Sequence, residues 1–163
     1  LQQTPAWSMI KPWLTADRRR MLILYHKHPT SAWTRFLRLA HGGICDTGRI
    51  PPEAVLAPPP KLSTHPAMPL RSAAERLGLT ADELVPDVGF RCGLRVGDAV
   101  EQVHLGHFVG IDPPFAAAAA VNAEFIDLVQ ARKVLVPAEL ALLRLVYNHA
   151  LGTAARFLLD YGG

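Results

Sequence analysis

Glu101, His104 and His107 stand three residues apart from one another within "DAVEQVHLGHFVGIDPP". A carboxylate and two imidazoles at that spacing would share one side of a helix, where neighbouring members could ligate a transition metal. The fragment E-x-x-H also occurs in carboxylate-bridged di-iron bundles, which need a second such fragment on a facing helix. Only one is present. Glu124, Asp127, Glu139 and His149 are the other groups available to complete a site. The candidate metal set is therefore Glu101, His104, His107 and His149. No cofactor is expected, and a transition metal is the one possibility these residues leave open. The bland alternative is an apolar face with two imidazoles bonded to backbone or a neighbour. In that case Asp98 and Glu101 form an N-terminal capping box.

Other chemical side chains are more scattered. His26 and His28 in "YHKHP" would share a face on a strand but not on a helix. Cys45 and Cys92 are too few for a disulfide framework, and buried, inert thiols are expected. Cys92 lies between Arg91 and Arg95, which would activate it only if it were exposed. A Cys92–His104 nucleophile pair would need adjacency that sequence does not show. No P-loop, dinucleotide fingerprint, nucleophile elbow or H-E-x-x-H is present.

Charge is uneven. Eight Lys and Arg against three acids leave residues 1–60 at +5, and nine against eleven leave the remainder at −2. Arg18, Arg19, Arg20, Lys27, Arg35 and Arg38, with Trp7 and Trp13 ahead of them, are the candidate contacts to an acidic protein surface or to nucleic acid. Charged residues are only 19% of the 163, which suggests surface covered by a protein partner or a second copy. No apolar run reaches the roughly 20 residues that span a bilayer. The start of the chain lacks a signal-peptide pattern, so no membrane and a cytoplasmic location are expected.

The elements that must position these groups read as helices. The expected fold is a mainly α, single-domain helical bundle over 1–163, with an extended arm at 1–14. A long proline-rich extended segment follows at 44–70, then a helical body at 71–163. Helices are expected near 15–28, 31–41, 98–110, 114–132 and 137–160, with room for one short β-hairpin near 88–96. Thr15 and Ser31 are caps; Trp33, Phe36, Leu37 and Ala40 keep a helical period. Residues 44–70 hold half of the 14 prolines, which bars a regular helix. "PLRSAAERLGLTADELVP" reads as two helical turns around Gly78. It has the outline of a helix-turn-helix, with Asp82 and Glu83 where phosphates would repel them. Val103, Leu105, His107, Val109 and Ile111 also alternate as a strand would. The Asp98–Glu101 box tilts the reading toward helix, against two glycines costing about 1 kcal/mol each.

Three functional classes follow. The first is a non-catalytic interaction protein, a subunit or adaptor docking through its Trp/Pro arm, basic front helices and proline-rich segment. The second is a metal- or His-dependent enzyme centred on Glu101, His104 and His107. The third is a nucleic-acid-binding module using the basic N-terminal third.

Overall fold

A computed structural model describes residues 21–46, 48–61 and 65–162, with side chains described as far as Gly152. The expected arm, with Trp7 and Trp13, and Arg18, Arg19 and Arg20 lie outside the described residues.

The fold is α/β, not a helical bundle. The seven strands of a mixed sheet are β1 (Met21–Lys27), β2 (Thr34–Arg38), β3 (Val55–Ala57), β4 (Leu84–Asp87), β5 (Gly93–Val96), β6 (Ala99–Phe108) and β7 (Glu124–Ile126). The order across it is β3-β5-β6-β1-β2-β7. The helices are α1 (Ala67–Arg76), α2 (Phe115–Ala120), α3 (Leu128–Val134) and α4 (Pro137–Gly162). On one face Ile23, Tyr25, Phe36, Val103 and Leu105 pack with Leu142, Leu143 and Val146 of α4 and Ala131 of α3. On the other, Leu22, Leu24, Leu37 and Phe108 pack with Leu70, Ala73 and Ala74 of α1 and Ala118 of α2.

Coverage of both faces explains the misread segments. β1 is apolar at consecutive positions because both sides of the strand are buried, so "MLILY" shows no alternation. Residues 31–41, expected as a helix, end a hairpin instead. His28 and Trp33 close the turn at 2.9 Å, and Ala32 adopts a left-handed φ of 60°. Phe36 and Leu37 then point to opposite faces.

The expected helix at 98–110 is the longest strand, β6. Asp98 is no N-cap. It lies in the Gly97–Asp98 turn joining β5 to β6, where Gly97 takes φ +63°, as the first position of a tight hairpin turn requires. The expected hairpin near 88–96 is thus displaced toward the β5–β6 pair. β6 pairs antiparallel with β5 through Ala99–Gln102 and with β4 through Leu105–Phe108, both on one edge. Its other edge runs parallel to β1. Gly106 is a packing glycine: a Cβ there would stand 2.4 Å from Leu70 and 2.7 Å from Leu24.

The helix expected at 114–132 is broken. Asn122 takes φ 58°, β7 intervenes, and Asp127 opens α3 with a capping box to Gln130. The proline-rich segment contributes the edge strand β3. α1 follows and ends at Gly78 (φ +67°). Thr80–Glu83 is only a turn before β4, so the helix-turn-helix outline and the helical body at 71–163 both fall. The last helix stands where it is expected.

Candidate functional site

Strand alternation decides which side chains meet. Tyr25 is opposite His107 in the β1–β6 register, and Asp87 is opposite Leu105 in the β4–β6 register. All four therefore face α4, which supplies His149. The Tyr25 hydroxyl donates to Asp87 Oδ2 at 2.6 Å. His149 Nε2 lies 3.0 Å from the same oxygen and 3.2 Å from Oδ1. The Gly89 N–H donates to Oδ1 at 3.3 Å. Phe90 sits edge-on to the His149 ring at 5.3 Å.

The electrostatics fix the roles of these groups. Burial, followed by the hydrogen bond and charge of Asp87, pushes the Tyr25 phenol far up, so it is a permanent donor and not a base. Burial pulls the His107 imidazole below its usual value; His26 and Lys27 add to this, and Asp87 opposes it. Burial also lowers Lys27, whose ammonium donates to the Ala150 carbonyl of α4 at 2.9 Å. His26 is buried and bonds Gly110 O through Nε2 at 2.8 Å. Among the described residues its Nδ1 and the His107 Nε2 are buried without a hydrogen-bond partner, the two rings 6.4 Å apart.

The candidate metal set does not converge. Three-residue spacing on a strand puts successive members on opposite faces. His107 joins Tyr25 and Asp87 beneath α4, as does His149. His104 turns to the other side, opposite Leu22, and lines a cavity of about 280 Å³ with His65, Asp87, Phe90, Arg91 and Gln102. That cavity lies in the notch where β6 passes from β5 to β4. Burial, then His65, lowers the His104 imidazole. Glu101 is buried opposite Leu94 of β5. Among the described residues, no group of three or more His, Cys, Asp or Glu is placed to hold a metal ion.

The other sequence candidates have local roles. His28 caps its turn, accepting from the backbone N–H of Thr30 and Ser31 at 3.2 Å each. Cys45 and Cys92 are free and buried, and burial raises both thiols. Arg35 stacks on Trp33 at 3.6 Å and lies 5.4 Å from the Phe115 ring. Arg38 donates to Gly42 O at 2.9 Å and reaches Glu124 at 3.4 Å. Sequence reasoning missed Tyr25, Asp87 and Phe90. A strand reading of "MLILYHK" would have put Tyr25 on an inner face.

Where β1 and β6 run out, Lys27, His28, Pro29, His107, Val109, Gly110 and Ile111 surround an open cavity of about 500 Å³. Trp33, Val109, Ile111 and Phe115 are each more than half exposed. Among the described residues no helix is long and apolar enough to cross a membrane. No protein-family model matches the sequence, and no curated protein matches it either, so the geometry alone carries the functional reading.

Proposed function

We propose that this chain is a non-catalytic interaction protein that docks to a protein partner through the end of the sheet bearing Trp33, Arg35, Val109, Ile111 and Phe115. The observation that carries the reading is the exposed stack of Arg35 between Trp33 (52% exposed) and Phe115 (51%). Tryptophan and arginine dominate the energy of protein interfaces, and aromatic rings with exposed aliphatics form their dry centres. Val109 (52% exposed) and Ile111 (67%) extend the apolar area around the open cavity. The +5 balance of residues 1–60 favours a partner with acidic side chains. The buried groups beneath α4 support the same reading: Tyr25 is held as a donor, and Lys27 is committed to a helix carbonyl.

The test compares the full chain with a Trp33→Ser, Ile111→Ser variant. Sedimentation velocity over a rising concentration series reads self-association, and affinity capture from the source cells reads a heterologous partner. A stoichiometric partner or a dimer that the variant loses is expected. A chain that stays monomeric, and captures the same proteins with or without the two substitutions, would end this reading.

A further inference from the structure

β2 ends at Arg38 and the chain reverses at once. Leu39 N–H donates to Gly43 O at 2.8 Å, and Gly42 N–H to Leu39 O at 2.9 Å. Gly42 takes φ +96°, a backbone that side chains rarely adopt. Two guanidinium groups lie over it. From the point where a Cβ would stand, Arg49 Nη1 is 3.1 Å away and Arg38 Nη2 is 3.7 Å away. The two nitrogens are therefore less than about 7 Å apart, a gap that two charge-assisted hydrogen bonds to oxygens of one tetrahedral anion can span.

Both arginines are already oriented by their other nitrogens. Arg38 Nε donates to Gly42 O at 2.9 Å, and its Nη1 reaches Glu124 at 3.4 Å. Arg49 Nη2 donates at 2.8 Å to Glu139, whose carboxylate is fully buried. Arg38 Nη2 and Arg49 Nη1 have no hydrogen-bond partner among the described residues. Pre-oriented forks with spare donors are the arrangement that recognises phosphate oxygens in two-point fashion.

We propose that Arg38 and Arg49, converging over Gly42, form a binding site for a tetrahedral oxyanion of the phosphate or phosphate-monoester class. The other charged or titratable groups around the loop are His41, Asp46, Glu124 and Glu139. His41 is occupied by Cys45 O and Gly43 N–H, and Asp46 by Arg76. Glu139 neutralises Arg49 from beneath, so Arg38 supplies the site's attraction. Glu124 is the group that gives way: its side chain is 61% exposed and its contact with Arg38 is long.

The test titrates the full chain calorimetrically with inorganic phosphate and with glycerol phosphate, at constant ionic strength set by chloride. Saturable binding is expected. It weakens about tenfold in Arg38→Gln, which loses a charge-assisted donor, and tightens in Glu124→Gln, which removes the competing carboxylate. Tighter binding of glycerol phosphate identifies an ester as the ligand, and equal or weaker binding identifies the free anion; both support the site. Circular dichroism melts confirm that each variant folds. No saturable heat with either probe, or affinities unmoved by both substitutions in folded variants, would overturn the proposal.

Discussion

Tyr25 and Asp87 are joined by a 2.6 Å hydrogen bond although their strands do not pair: β1 and β4 flank β6 on opposite edges, and the bond passes over it. A side-chain tie thus clamps three strands beneath α4, and His149 fastens the helix to the same carboxylate. Tyr25→Phe keeps the ring and removes the tie. Asp87 retains two donors, so the expected loss is about 1.5 kcal/mol, the value of one hydrogen bond to a charged group. Urea denaturation monitored by tryptophan fluorescence measures it. An unchanged midpoint would show that the clamp contributes nothing.

Acid should weaken this fold through its central histidines. His104 and His107 have folded values below the ordinary imidazole value of 6.5, mainly because burial disfavours the charged form. The unfolded chain then binds more protons, so stability is full above pH 6.5 and falls as pH drops through the depressed folded values. Urea midpoints at pH 7.5, 6.5, 5.5 and 4.5 should decline in that order. His107→Gln should flatten the decline between the first three. A wild-type midpoint that rises on acidification would contradict the assignment.

Gly106→Ala should be destabilising by about 1–3 kcal/mol, the usual penalty for overpacking, since the new methyl meets Leu70 and Leu24. Thermal melts of Gly106→Ala and of Leu70→Ala/Gly106→Ala together give the check. Measured against Leu70→Ala alone, the added methyl should cost less than it does beside Leu70, because the smaller residue vacates the space the methyl needs.

Arg49 and Glu139 make an asymmetric pair. Arg49→Ala strands a fully buried carboxylate and should cost about 3 kcal/mol or more. Glu139→Gln leaves an exposed-side arginine that water can solvate, and should cost less. Denaturation of the two single variants and the double, treated as a cycle, separates the pair's coupling from the burial of Glu139.

Cys45 and Cys92 should ignore Ellman's reagent in the native chain and react together once it unfolds, since burial both shields and raises the thiols. Prompt release of one equivalent from folded protein would place a thiol at the surface.

The sequence made the ends of the sheet layers legible and its centre illegible. α4 was readable because an amphipathic run capped by Pro137 has one buried side. The Asn122 break and the Asp127–Gln130 capping box were also written in the sequence, yet the five-alanine run beside them suggests one long helix. β1 loses its period-two signal because Leu22 and Ile23 are buried on opposite faces, whereas β6 keeps one in Val103, Leu105 and His107 that the apparent Asp98–Glu101 box outweighed. Glycine was the better guide: Gly106 disfavours a helix and marks a close approach in a strand. For the site, His149 and His107 were in view from the start. Asp87, which His149 bonds and His107 faces, was not, because Pro86 before it reads as a helix stop.

The parallel pairing of Met21–Tyr25 with Val103–His107 also sets a timetable. β1 can close its hairpin with β2 as soon as residue 38 is made, but its other edge has no partner until β6 is complete. At about 5–20 residues per second, synthesis leaves that apolar edge open for several seconds. During that interval "MLILY" presents one open strand edge, of the kind that can pair with other chains. The arrangement that buries β1 on both faces of the finished sheet thus leaves its apolar edge open for the whole synthesis of residues 39–108.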